Sequence, residues 1–152
     1  MGVEPPVEGE VNGDMNLNIQ VKTRTKLKDP AARDKFRQEI ESGIRTLGQE
    51  GEELIAERLR IRPAGVYKTV AQAGRKNASK GFYASRVERE QRGLHMRIHD
   101  SRVVYGPWLE RGRSGTRFKG YHVFANTATH LRKRAKPVFE KAVQRFINWL
   151  RV

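Results

Sequence analysis

The chain has 152 residues, and its 31 lysines and arginines outnumber its 17 acidic residues, which gives a formal net charge of +14. It has no cysteine, which excludes disulfides, thiolate metal sites and thiol catalysis. It also has no apolar stretch approaching about 18 residues, and its first residues lack the basic and apolar regions of a signal peptide, so we expect neither a membrane span nor export.

The first 15 residues are acidic, although the rest of the chain is basic. They carry four acidic residues and no basic one. With two prolines and few large apolar groups, such a segment cannot bury enough surface to offset the entropy of ordering it. We therefore predict a flexible acidic arm over residues 1–15, followed by a single domain over residues 16–152.

A strand and a long helix are predicted next. Apolar side chains alternate with polar ones over residues 16–23, which is the period of a half-buried strand. Asp29 and Pro30 then provide an N-cap and a proline at the first helical position, and apolar residues at helical spacing continue to about residue 60. Three glycines in this helix either bend it or let a neighbouring element approach closely: Gly43, Gly48 and Gly51.

Strand signals return after residues 66–80, whose glycines and lysines predict a mobile loop. Alternating patterns predict strands over residues 82–90 and 94–99, and Asp100-Ser101 predicts a turn into a return strand. Together these segments predict an antiparallel meander.

The last part of the chain predicts a second helix. Apolar residues recur at helical spacing over residues 124–150, and Pro137 within them requires a kink or a restart. Three aromatic residues are expected to anchor this helix: Phe139, Phe146 and Trp149. The predicted fold class is α+β, with an antiparallel β-sheet packed against a long N-terminal helix and a C-terminal helix, and with a loop at about residues 111–120.

No set of residues suited to catalysis emerges. His95 and His99 lie about 13 Å apart along a predicted strand, which is too far for one zinc ion. A metal-dependent nuclease would need several acids to converge on magnesium, and the candidates are few: Glu88, Glu90, Asp100 and Glu110. We predict no catalytic residue, no metal site and no cofactor, with a small metal-dependent nuclease as the enzymatic alternative.

The strongest charge signal is the basic segment, residues 111–136, which contains eight lysines and arginines and no acidic residue. Such a block predicts an anionic neighbour, either nucleic acid or the acidic surface of a partner protein. One hypothesis is that the acidic arm of one subunit lies on the basic segment of the next. The alternative function is a basic nucleic-acid-binding module that uses this segment, although an RNA-binding sheet would carry more surface aromatic residues.

The tract YGPWLE at residues 105–110 is the most distinctive motif. It brings large apolar groups to a predicted strand end, either as a core anchor at a strand–loop junction or as a subunit contact through Trp108, because tryptophan is enriched at interface hot spots. Glu110 is expected to pair with one of the nearby arginines.

Together with the Arg/Gly-rich loop, TRFKGYHVF at residues 116–124 and AKPVF at residues 135–139, this tract resembles the tail-completion proteins of long-tailed bacteriophages, which are also called tail terminators or minor tail components. In that family a long first helix precedes a strand meander, a strand that ends in the glutamate of this motif, a variable loop and a closing helix. The resemblance implies a structural virion protein of the neck that forms a ring, usually six-fold. That ring would join the head connector to the tail tube and let DNA pass.

The partners implied by the resemblance are further copies of the chain, the head-closure or connector proteins, the tail tube protein and genomic DNA, with no membrane. The implied location is the virion, with the host cytoplasm during assembly. The candidates for subunit contact and assembly are Tyr105, Trp108, Leu109, Glu110, Arg111, Arg113, Arg117, Phe118 and Lys119. The candidates for facing DNA in the lumen are Arg75, Lys76, Lys80, Arg113 and Arg117.

Overall fold

The computed structural model describes residues 15–24, 26–61, 86–100, 106–112, 115, 117 and 119–152, with the backbone alone for Arg60, Ile61, Pro107 and Trp108. Within these residues the elements are β1 (Asn16–Gln20), α1 (Pro30–Ile61), β2 (Val87–Arg92), β3 (His95–Asp100), α2 (Gly106–Arg111) and α3 (Val123–Leu150). The two long helices pack against each other, and α1 also packs on an antiparallel sheet. The predicted α+β fold is confirmed.

The sheet has the strand order β1-β3-β2, and both pairs are antiparallel. Leu17 lies opposite Ile98 and Ile19 opposite Met96, and all four side chains are buried. Because successive side chains in a strand alternate between faces, the polar residues between them lie on the other face. The predicted alternation in both strands is therefore confirmed, and the apolar face supplies one side of the core.

β2 and β3 form a tight hairpin. Arg92 pairs with His95, so the connection has two residues, and Gly93 at φ 57° adopts the left-handed conformation that such turns require. In the described chain β2 begins at Val87 and extends two residues beyond the predicted end. The predicted loop at residues 66–80, the first part of this strand at residues 82–85 and the predicted return strand lie outside the described residues.

Asp100 is not in a turn, as the sequence pattern predicted, but ends β3 with a fully buried side chain. Its Oδ1 accepts a hydrogen bond from the Met15 amide at 3.0 Å, and its own amide donates to the Met15 carbonyl at 3.2 Å. Met15 is itself in the core. The last residue of the predicted acidic arm is thus held by the domain, because a buried carboxylate requires donors. Residues 1–14 lie outside the described residues.

α1 begins where Asp29 caps it, as predicted. The two carboxylate oxygens of Asp29 accept hydrogen bonds from the Ala31 amide at 3.2 Å and the Ala32 amide at 3.3 Å. The glycines of α1 allow close approach of its neighbours. A Cβ at Gly48 would lie 2.5 Å from the Met96 Cε, and one at Gly51 would lie 2.7 Å from the Ile98 Cδ1.

α3 runs antiparallel to α1, since Phe146 contacts Phe36 near the start of α1 whereas Leu131 lies against Gly51. It continues through Pro137, so of the two expected alternatives, a kink or a restart, the restart does not occur. Proline costs a helix about 3 kcal/mol, but each large apolar side chain that α3 buries contributes about 1.5–3 kcal/mol. Two of the three predicted anchors, Phe139 and Phe146, are buried, whereas Trp149 is 41% exposed.

The outer surfaces of the two long helices are charged and joined by ion pairs. Glu39 on α1 contacts Lys35 at 2.8 Å and Arg145 of α3 at 2.6 Å. Hydrogen bonds from Lys35 and then Arg145 hold the pKa of the Glu39 carboxyl below its ordinary value of 4.5. In the described part of the chain, no helix combines the length and the apolar character that crossing a membrane demands.

Candidate assembly site

The tract singled out by the sequence forms the short helix α2, so the strand expected at residues 105–110 is wrong over its described part. Pro107 explains the difference, because proline cannot donate to a sheet ladder and its fixed φ suits the first turn of a helix. Gly106 is buried at the start of α2 and Leu109 is buried near its end. α2 therefore packs as part of the domain and positions the chain that follows it.

Among the residues that the structure describes, Glu110 pairs with no arginine, although such a pair was expected, and it caps α3 instead. Its side chain is only 5% exposed, and its carboxylate oxygens accept hydrogen bonds from the Phe124 amide at 3.1 Å and the Ala125 amide at 2.9 Å. His122, at the N-cap position, has a left-handed φ of 50° and makes no side-chain cap. The first amides of a helix lack hydrogen-bond partners within the helix and carry partial positive charge. The buried Glu110 carboxylate accepts hydrogen bonds from two of them, and its negative charge is stabilised there.

The loop between α2 and α3 is closed at its base by backbone contacts. The Tyr121 amide donates to the Leu109 carbonyl at 2.7 Å, and the His122 amide donates to the Glu110 carbonyl at 3.0 Å. Gly120, at φ 86°, lies so close to Glu110 that a Cβ would overlap its carbonyl oxygen. The ends of residues 111–120, which we call the basic loop, are thus fixed to each other and to the start of α3.

The predicted assembly residues fall into three groups. Leu109 and Glu110 are buried inside the domain, which favours the core role over a contact with a neighbour. Arg111, Arg117 and Lys119 are exposed on the basic loop. Outside the described residues or side chains lie Tyr105, Trp108, Arg113 and Phe118, together with the lumen candidates Arg75, Lys76 and Lys80.

The second half of the basic segment lies on α3, where some of its charge is neutralised. Glu50 of α1 contacts the His130 Nε2 at 2.8 Å and the Arg134 Nε at 3.1 Å. Lys136 lies 3.9 Å from Glu140 on the same helix, and both side chains are exposed. A pair this exposed contributes little to stability.

The four acids that a metal-dependent nuclease would need do not converge. Glu88 and Glu90 are exposed on the polar face of β2, Asp100 is buried at the end of β3, and Glu110 caps α3. No group of three potential metal ligands occurs among the residues that the structure describes. His99 lies 3.4 Å from Glu90 across the polar face of the sheet.

Sequence reasoning missed three features of this site: the cap by Glu110, the close contact at Gly120 and the pairing of Asp100 with Met15. The cap joins Glu110 to residues that lie 14 and 15 positions further along the sequence. The Asp100–Met15 pair joins residues that are 85 positions apart. No local pattern reports such contacts. Gly120 was visible as a glycine just before a helix, which is the available signal.

The comparisons add no relative. Neither known protein families, nor curated proteins, nor solved structures give a match to this chain.

Proposed function

We propose that the protein is a subunit of a ring in the neck of a long-tailed bacteriophage, a tail-completion or tail-terminator protein that joins the head connector to the tail tube. The observation that carries this proposal is the basic loop. Its exposed Arg111, Arg117 and Lys119 are presented from a base that Glu110 and Gly120 fix to the domain. A loop with a fixed base, whose described basic side chains are exposed, is suited to contact another protein or a polyanion.

The order of elements supports the proposal. As in the family that the sequence resembles, a long helix precedes an antiparallel hairpin, and a loop leads into a closing helix, although here the strand β1 comes before the long helix. One element differs, since residues 106–111 form a helix and not a strand.

The proposed role requires contact and not chemistry. A ring is built from heterologous interfaces, in which two different faces of the subunit meet. The basic loop would contact the adjacent ring or the tail tube, or would face DNA in the lumen. There, attraction to phosphate without sequence preference is all that passage needs.

A second candidate is a nucleic-acid-binding module, and one observation favours it. Lys133 and Lys136 are exposed on α3, and the basic segment has no acid of its own to compete with phosphate. This candidate needs no self-association, which separates it from the ring.

The test is the mass of the purified full chain, measured by light scattering with and without nucleic acid over a range of salt concentrations. The ring predicts an oligomer of fixed mass that forms without nucleic acid. A monomer that binds nucleic acid with an affinity falling steeply as salt rises supports the module and contradicts the ring. Cleavage of nucleic acid that depends on magnesium contradicts both.

A further inference from the structure

The end of α3 carries two of the three exposed large apolar side chains of the described chain, and the third, Val152, follows just beyond the helix. Trp149 is 41% exposed and Leu150 is 51% exposed. The Trp149 ring stacks on Phe146, with 6.1 Å between ring centroids, so its position is set by the core. We call Trp149 and Leu150 the apolar tip. Soluble proteins leave single apolar residues exposed, but two that are adjacent and of this size form a patch a partner can cover.

The surroundings of the apolar tip are basic. The last turn of α3 lies beside the first turn of α1, as the contact between Phe36 and Phe146 shows. The chain that leads into α1 with its first turn, residues 22–35, and the last turns of α3 with the residues after them, 141–152, contain nine basic and two acidic residues. Two of the nine, Lys35 and Arg145, are paired with Glu39, which leaves seven. A ligand that fits this end of the molecule therefore combines a few apolar side chains with negative charge.

The first 14 residues of the chain have that composition. Their acidic residues are Glu4, Glu8, Glu10 and Asp14, and no basic residue occurs among them. Val3, Val7 and Val11 are spaced every four residues between these acids. The segment thus carries apolar groups of moderate size and negative charge together, which the apolar tip and its basic surroundings complement.

Met15, the first described residue and the one to which this segment is joined, lies at the end of the domain opposite the apolar tip. β3 passes Gly48 at Met96 and Gly51 at Ile98, so it runs towards the last turns of α1 and the first turns of α3. Asp100, which holds Met15, lies further along in that direction. From Leu131, which packs by Gly51, to Leu150 the rise along α3 is about 29 Å. When a binding segment and the site that it fits lie at opposite ends of one subunit, copies of that subunit join head to tail.

We propose that residues 1–14 of one copy bind the apolar tip of the neighbouring copy. This deepens the proposed ring, on which it rests for the presence of a neighbour. It differs from the hypothesis that the acidic arm lies on the basic segment. That segment begins at the end of the subunit where Met15 lies, and it presents no exposed large apolar side chain among its described residues.

Crosslinking in the full chain tests the proposal. A photoreactive benzophenone amino acid replaces Gly9, and chains labelled with heavy nitrogen are mixed with unlabelled chains before irradiation. We expect crosslinks between position 9 and residues 145–152 that join heavy to light chains. Leu150→Asp, which keeps Trp149 in place, should lower their yield about tenfold, because it removes apolar contact and adds repulsion with the acids. Lys133→Glu is the matched control on the same helix and should leave the yield unchanged.

Other outcomes overturn the proposal. Crosslinks confined to residues 111–136, with a yield that falls in Lys133→Glu, place the arm on the basic segment. If crosslinks never join heavy to light chains, the arm lies on its own subunit. If position 9 forms no crosslink to protein at all, the arm does not dock. Mixed crosslinks from particles that are not closed rings would refute the proposed ring and leave this contact standing, so the two proposals fail separately.

Discussion

Replacing Glu110 with alanine should destabilise the domain far more than the loss of one surface charge. The carboxylate is 5% exposed and accepts two backbone hydrogen bonds at the start of α3. A buried donor left without a partner costs about 1–3 kcal/mol, and a lost helix cap typically costs about 1 kcal/mol. We expect Glu110→Ala to lower the free energy of unfolding by about 3 kcal/mol, which is roughly 9 °C in Tm for a chain of this size. Glu110→Gln keeps one acceptor oxygen and should cost about 1 kcal/mol.

Urea unfolding followed by circular dichroism measures these free energies, and hydrogen exchange locates the change. The amides of Phe124 and Ala125 should exchange faster in Glu110→Ala, since they lose their acceptor. The control is Glu140→Ala, whose carboxylate is exposed and lies 3.9 Å from Lys136, and which should change stability by less than about 0.5 kcal/mol. If Glu110→Ala is no more destabilised than this control, the capping argument is refuted.

Three further predictions follow from the packing, the ion pairs and the loop. Gly51→Ala would place a methyl group 2.7 Å from Ile98 and 2.8 Å from Leu131, so overpacking of about 1–3 kcal/mol should outweigh a helix-propensity gain of about 1 kcal/mol; urea unfolding should show a net loss. The pKa of Glu39 is lowered in the folded state, so its contribution to stability is present above about pH 4.5 and is lost as the pH falls through the folded pKa. In Glu39→Gln, the urea midpoint should therefore fall less over that pH window. Arg117→Glu combined with a Lys119→Glu change should reduce ring or nucleic-acid contacts in sedimentation, with Tm unchanged because both residues are exposed.

Each of these has an outcome that contradicts it. In a protein that already carries Leu131→Val, the shorter side chain leaves room beside position 51, so Gly51→Ala should lower the free energy of unfolding by less. An equal loss in both proteins would show that the close contact is not the cause. A Glu39→Gln protein with an unaltered acid transition would exclude a stabilising ionised Glu39. For the basic loop, assembly and nucleic-acid binding that both survive the double charge reversal would assign these residues no role in contact.

Local patterns predicted the regular elements well. Alternation identified β1 and β3, and helical spacing with Asp29 and Pro30 placed the start of α1. The three helix glycines predicted either a bend or close packing, and the structure shows close packing. These features depend on residues a few positions apart, so the sequence displays them directly. The length of α3 was also predicted, although its continuity through Pro137 depends on packing against α1, which no local pattern reports.

The candidate site was less predictable because its geometry rests on long-range contacts. Glu110 stands one residue before Arg111 in the sequence, and opposite charges so close suggest an ion pair. In the fold the Glu110 carboxylate is buried against the start of α3. There it accepts hydrogen bonds from helix amides that would otherwise have no partner. The same holds for Asp100, whose partner Met15 could not be identified from a turn-like dipeptide. Trp149 was expected to anchor α3 because its spacing continues the apolar stripe, but it stacks on Phe146 and stays 41% exposed.

Imaging of the purified full-length protein by negative-stain electron microscopy, without nucleic acid or any other protein, tests the central proposal most directly. The account predicts closed rings with symmetry near six-fold. Particles of single-subunit size at every concentration and salt level would contradict it.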